Sequence, residues 1–165
     1  FFLGALARRP GPVAIVAGRQ SYRAHRQRIA GCRDVLAERY PALAPVTVVE
    51  GLDERQRTRE AMLRCLDAHP DLVAVYNTAS ANREIGEVLT ATGRAGAVVF
   101  VGHETTDATA ALLRAGTMHV SIDQNPELHA LRALQIVLRY ARHGELKPEE
   151  AEIPFSVYCR ENLRR

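Results

Sequence analysis

Four short polar segments, each directly after an apolar run, hold the residues best suited to chemistry. They are Gly18-Arg19-Gln20-Ser21-Tyr22 with Arg28 further on, Asn77-Thr78-Ala79-Ser80-Ala81-Asn82, Gly102-His103-Glu104, and Asp123-Gln124-Asn125. Together they offer a guanidinium, carboxamides and a carboxylate. That set suits a small polyhydroxylated ligand: a sugar hydroxyl both donates and accepts, so carboxylate acceptors, Arg donors and two-way amides satisfy it once water is excluded. Any single segment reads equally well as helix capping at a strand-helix junction. The functional reading rests on the four together, and it favours binding over catalysis.

Enzyme motifs do not compete with it. Gly18 is not followed by the further glycines of a dinucleotide fingerprint, and neither a phosphate-binding G-x-x-x-x-G-K-[ST] loop nor a G-x-S-x-G elbow occurs. His25, His103, His119 and His129 include no pair at the i, i+4 spacing of a zinc-binding helix, so no metal is expected. His103-Glu104 has the makings of an acid-base pair but lacks a nucleophile or cofactor partner. The expectation is a non-enzyme without a cofactor.

Stepping from these residues to what must position them, 165 residues suffice for one domain with its own core. An apolar share of 47% and a charged share of 25% place the chain among ordinary globular proteins, away from disordered and membrane classes. The net charge of +3 arises largely from Arg spread over several segments, which reads as a solvated surface instead of a nucleic-acid footprint. Cys32, Cys65 and Cys159 are odd in number and far apart, which argues against a disulfide framework or zinc site and for a reducing, cytoplasmic setting. No apolar run approaches the roughly 18 residues needed to cross a bilayer, and no export signal is seen. The chain opens on Phe1-Phe2-Leu3 without Met, in what reads as the last turns of a helix, so its true start is expected upstream.

The elements follow in strict alternation. After the breaker cluster Arg8-Arg9-Pro10-Gly11-Pro12, the apolar run Val13 to Ala17 predicts a buried strand. Ile29, Cys32, Val35 and Leu36 then mark a helix over about 21–40. Val46 to Val49 predicts the second strand, with Asp53 as N-cap of a helix carrying Met62, Leu63 and Leu66. Leu72 to Tyr76 is followed by a helix with Ile85, Val88 and Leu89 that Gly93 closes. Ala97 to Val101 is followed by a helix capped by Thr105 or Thr106 and closed by Gly116. Met118 to Ile122 makes a fifth strand. Strands apolar on both faces and separated by helices indicate a parallel sheet covered on both sides, a three-layer α/β fold with right-handed crossovers. Pro126 suits the first turn of a long helix to about His143, and Ile153, Phe155 and Val157 alternate as in a strand packed on one side. In such a sheet ligands bind beyond the carboxyl ends of the strands, where the four polar segments fall.

The sequence resembles the C-terminal lobe of the lactose-repressor (LacI/GalR) family, whose effector domains have the type I periplasmic-binding-protein fold. The pieces that carry the likeness run from Val13 to Leu163. They are Val13-Ala14-Ile15-Val16-Ala17-Gly18 with Arg28-Ile29-Ala30-Gly31; Val73-Ala74-Val75-Tyr76-Asn77; Val98-Val99-Phe100-Val101-Gly102-His103-Glu104; Gly116-Thr117 leading to Ile122-Asp123-Gln124-Asn125-Pro126; and the ending Ile153-Pro154-Phe155 to Arg160-Glu161-Asn162-Leu163. The resemblance implies that Arg28 holds sugar hydroxyls, Asn77 accepts from and donates to them, Glu104 stands where the family usually has Asp, and Gln124 lies at the hinge side of the cleft. The third-strand loop is longer than usual, which adds Ser80 and Asn82, and His103 and Tyr22 complete the candidate set.

The same likeness implies a lobe at 10–123, helices at 1–9 and 126–143 that pack with a neighbouring N-terminal lobe, and a C-terminal strand and tail at 151–165. It further implies a carbohydrate or polyol effector, a homodimer, and operator DNA reached only through a headpiece that precedes Phe1, with no membrane contact. A chain exposing the faces meant for the other lobe is expected to self-associate. The rival readings are a periplasmic sugar-binding protein serving a transporter and a stand-alone flavodoxin-like enzyme or receiver domain. Against a receiver, the first-strand loop carries Arg19 and Arg23 where acidic residues would be required.

Overall fold

The computed structural model describes residues 1–144 and 152–163. Its elements in chain order are α1 (Phe2–Leu6), β1 (Gly11–Ala17), α2 (Arg23–Arg39), β2 (Leu43–Glu50), α3 (Arg55–Ala68), β3 (Ala74–Asn77), α4 (Asn82–Ala91), β4 (Val99–His103), α5 (Asp107–Arg114), β5 (Val120–Asp123), α6 (Pro126–His143) and β6 (Ser156–Tyr158). The strands form one sheet in the order β2-β1-β3-β4-β5-β6. The first five are parallel, and β6 closes the edge antiparallel to β5, pairing Asp123 with Ser156 and Ser121 with Tyr158. This is the expected α/β architecture of a mostly parallel sheet between helical layers.

The alternation of side chains along each strand divides the core in two. Ala14 and Val16 of β1, Val75 of β3 and Phe100 of β4 pack with Met62, Leu66, Ile85, Leu89 and Leu113 from α3, α4 and α5. Val13 and Ile15, Ala74 and Tyr76, and Val99 and Val101 face the other way, onto Ile29 and Leu36 of α2. Strands sandwiched like this must be apolar at every position, as Val13 to Ala17 are. Left-handed glycines terminate helices: Gly93 and Gly116, as read from the sequence, have φ of 68° and 72°, and Gly144 after α6 has φ of 68°. Thr106 caps α5 by accepting from the backbone N–H of Thr109.

The N-terminal stub, expected to pack with a neighbouring lobe, has contacts on this sheet: Leu3 is buried in the α2-side core, and α1 lies against β3 and β4. Two expectations are corrected. Asp53 does not cap α3, which begins after Glu54 with no side-chain cap. Asp53 is held at φ 60° in a turn whose neighbours Gly51 and Leu52 donate backbone N–H groups to Ala17 and Gly18. Finally, Phe155 lies outside any strand and is 67% exposed, because the register with β5 starts only at Ser156. Within the expected tail at 151–165, residues 151, 164 and 165 lie outside the described residues.

Candidate functional site

Parallel pairing decides where the polar segments meet. Val16 stands opposite Asn77, Tyr76 opposite Val101, and His103 opposite Ile122. The segments after β1, β3, β4 and β5 therefore emerge along one edge of the sheet, flanked by the N-terminal ends of α2 and α4.

Arg28 stands in the second turn of α2 and reaches over this edge, where Nη1 donates to the backbone oxygen of Thr78 at 2.7 Å. That bond uses one of the five N–H donors of the guanidinium and fixes its direction, leaving the others for a ligand. Beneath it, Tyr76 Oη and His103 Nε2 lie 2.8 Å apart, and the rings are tilted by 47° at 5.7 Å between centroids. Burial, and then the charge of Arg28, push His103 down to about 4, so the ring is neutral near pH 7. Burial pushes the Tyr76 hydroxyl up to about 12. His103 Nδ1 is buried with no hydrogen-bond partner.

Glu104 follows directly and has φ 64°, an uncommon conformation for a residue with a side chain. Two backbone contacts hold it: its N–H donates to Ile122 at 3.0 Å, and Ser121 Oγ donates to its carbonyl at 3.0 Å. The result directs the carboxylate sideways along the rim, where it accepts from Gln124 Nε2. Asp123, adjacent to Gln124, accepts from the N–H of Thr105 at 2.9 Å and of Asn125 at 2.7 Å, which locks the ends of β4 and β5 together. Strain of this kind, maintained by surrounding bonds, is a mark of sites where a side chain has been aimed.

Asn77 and Asn82 are used differently. Asn77 is fully buried; its Oδ1 accepts from Ala79 N–H, while its Nδ2 donates to Ala79 O at 3.1 Å and to Asn82 Oδ1 at 2.7 Å. Asn82, 4% exposed, passes the network on through Nδ2 to His103 O at 2.7 Å and Thr109 Oγ1 at 3.2 Å. Both donors of each amide are thus spent inside the protein, so these side chains brace the rim: Asn77 with no exposed surface, and Asn82 as part of the wall of the adjoining cleft. The close approach of Asn82 depends on Gly102, where an added Cβ would fall 2.4 Å from Asn82 Oδ1.

Ser80 is exposed at the mouth of a cleft of about 440 Å³ that also touches Asn82, Glu84, His103, Glu104 and Thr106. Tyr22 is 53% exposed and sets its ring edge-on to His25 at 5.5 Å. Its loop is pinned by Glu50, which accepts from Gln20 N–H at 2.8 Å, and by Arg26, which donates to Gln20 O and Ser21 O. The structure thus brings Arg28, His103, Glu104 and Gln124 to one edge, with Ser80 and Tyr22 exposed at its margins. Tyr76 and Glu84 were not singled out from sequence as site residues. Glu84 is almost buried and pairs with Arg55 at 3.3 Å. Tyr76 reads as an ordinary strand residue; only the register that sets it two positions from His103 reveals its partner.

Comparison with known proteins accords with this geometry. A family model described as periplasmic binding protein domain matches residues 2–146. No curated protein matches the chain. Among solved structures, the chain is similar to GanP, a glucose-galactose binding protein from Geobacillus stearothermophilus, at 23% identity and a TM-score of 0.83, covering 93% of this chain and 55% of that one. It is similar to a periplasmic solute-binding protein of an ABC transporter from Actinobacillus succinogenes with bound D-allose, at 21% identity and a TM-score of 0.87, covering 96% and 55%. A putative LacI transcriptional regulator from Bacteroides fragilis matches at 20% identity and a TM-score of 0.81, covering 97% and 56%. The chain spans about half the length of these structures. With the family model covering most of its residues, the chain belongs to the periplasmic binding protein domain family.

Proposed function

We propose that this chain is the carbohydrate-binding lobe of a two-lobed receptor, and that the receptor is a cytoplasmic transcription regulator of the LacI type. The observation that carries the ligand assignment is the left-handed Glu104, whose carboxylate is held along the same strand edge as the spare donors of Arg28. Acceptor and donor on one rigid rim match the two-way hydrogen bonding of a sugar or polyol. The similar proteins that bind glucose, galactose or D-allose support the same ligand class. No group here needs to break a covalent bond, so the reading is of a receptor and not an enzyme.

The regulator reading draws on the Arg160-Glu161-Asn162-Leu163 ending, on three free cysteines and on the likeness to a LacI regulator. That ending is folded back: Asn162 accepts from Cys159 N–H at 2.8 Å and donates to Val157 O at 2.8 Å, and Leu163 packs on the α3–α5 side of the core. In this reading the effector favours one interlobe angle and so shifts the spacing of DNA-reading headpieces in a homodimer. A transporter's sugar-binding protein is the second reading, favoured by the GanP and D-allose structures. Upstream sequence separates them: a headpiece of about 60 residues marks the regulator, a cleavable signal peptide the transport protein. Membership of the family displaces the flavodoxin-like and receiver readings.

The test is a thermal-shift screen of the full-length protein against monosaccharides, polyols and sugar phosphates. A ligand at 100 times its dissociation constant adds about 2.7 kcal/mol. Arg28→Ala and Glu104→Ala should each remove that gain; normal binding by both variants would overturn the site.

A further inference from the structure

The opposite edge of the sheet holds a second concavity. It lies where β3, β4 and β5 begin, so it is separated from the Glu104 rim by the length of a strand, about 15 Å at roughly 3.3 Å per residue. Its volume is about 530 Å³, and its polar lining is Arg8, Arg9 and His119, with Val73, Val99 and the backbone of Gly96 among the rest. Among the described residues no carboxylate lines it. Arg8 and Arg9 also border the neighbouring hollow beside Arg39, whose lining likewise holds no carboxylate among the described residues. A concavity with two guanidinium groups and no such carboxylate is electrostatically incomplete, since each guanidinium brings a full charge and a fork of N–H groups.

His119 sharpens the argument. Its Nδ1 accepts from the backbone N–H of Phe100 at 3.1 Å, so the proton of the neutral ring resides on Nε2. The ring is only partly buried, and burial together with the charge of Arg8 lowers its affinity for a second proton. It therefore offers a single donor, Nε2–H, beside two arginines. Two guanidinium groups and one imidazole N–H lining a single concavity suit a compact oxyanion, and Val73 and Val99 in the same lining suit a short aliphatic body on it.

We propose that the pocket formed by Arg8, Arg9 and His119 is a binding site for a small anion, a carboxylate or phosphoryl group on a compact apolar body, distinct from the carbohydrate rim. The site does not depend on the carbohydrate reading. It gives the lobe a second ligand at the far pole of the same sheet.

The test is a titration of the ¹⁵N-labelled full chain, followed by ¹H–¹⁵N spectra, with isobutyrate and inorganic phosphate in separate arms. Sodium chloride at matched ionic strength is the control. Saturable shifts confined to residues 7–9, 96–97 and 118–120 are expected. Stronger binding of isobutyrate identifies an organic acid; stronger binding of phosphate identifies a phosphoryl group. Arg8 and Arg9 are exposed, so the Arg8→Gln/Arg9→Gln double variant should keep its fold and bind at least about tenfold more weakly, the loss expected for one charge-assisted bond. Arg8→Lys/Arg9→Lys should restore part of the affinity. Non-saturating shifts equal to those of chloride, or unchanged binding in the Gln variant, would overturn the site.

Discussion

The carboxamide of Asn82 donates to the backbone oxygen of His103 at 2.7 Å, tying the start of α4 to the end of β4. One side chain thereby fixes the strand terminus from which both His103 and Glu104 project. With Asn77 on one side and Thr109 on the other, it forms a buried network that holds the rim in one geometry.

Removing that amide should therefore damage the fold before it damages binding. Asn82→Ala leaves the Asn77 donor, the His103 carbonyl and the Thr109 hydroxyl short of a partner, a cost of about 2–3 kcal/mol. For a domain of this size that lowers the Tm by roughly 6–10 °C. Gly102→Ala, which pushes a methyl against Asn82, should act in the same direction. Melting curves of both variants matching the parent would show the network to be dispensable.

The neutral, buried His103 makes stability depend on pH. Its folded pKa of about 4 lies below the ordinary 6.5, so the unfolded chain binds more protons between the two values. Its contribution is complete above about pH 6.5 and is lost as pH falls toward 4, on the order of 2–3 kcal/mol in all. Urea unfolding at pH 7.0, 6.0, 5.0 and 4.5 should show a steeper decline for the parent than for His103→Gln, in which that linkage is gone. Parallel declines would contradict the depressed value.

Glu104 should trade stability for function. A residue with a Cβ at φ 64° is strained by roughly 1 kcal/mol, and glycine adopts that conformation freely. Glu104→Gly is expected to raise or preserve the midpoint of chemical denaturation while abolishing carbohydrate-induced stabilisation. A large loss of stability would mean that the carboxylate serves the fold.

The outer face of α6 should drive association. Leu134 and Val137 are 57% and 62% exposed, and Leu131 and Leu138 extend the same stripe, an apolar surface that a soluble domain seldom leaves uncovered. Sedimentation at rising concentration should show self-association of this chain, reduced by Leu134→Glu/Val137→Glu with little change in Tm. A parent that stays monomeric would remove the need for any covering surface.

The individual elements explain what was legible. Strand-helix alternation was readable because each strand is apolar on both faces, and the caps at Gly93, Gly116 and Thr106 follow from local backbone chemistry. The edge on which Arg28, Glu104 and Gln124 assemble also followed, because parallel strands connected by helices must all end on the same side. Asp53 misled because a good capping residue was taken up by a turn tied to β1. The packing of Leu3 on this sheet was not legible because a five-residue helix carries too little periodicity to reveal what it packs on.

By itself, then, the order of residues determined the layers of the fold, the edge that carries the chemistry and the identity of its charged members, since these depend on periodicities and local conformations read within a few positions. Only the tertiary structure decided that Asn77 and Asn82 brace the rim from inside, that His103 meets Tyr76, and that Arg8, Arg9 and His119 line one concavity at the far pole. Most of these pairings join residues more than twenty positions apart, and which hydrogen bonds a side chain spends inside the protein depends on strand register and packing, which no local pattern encodes.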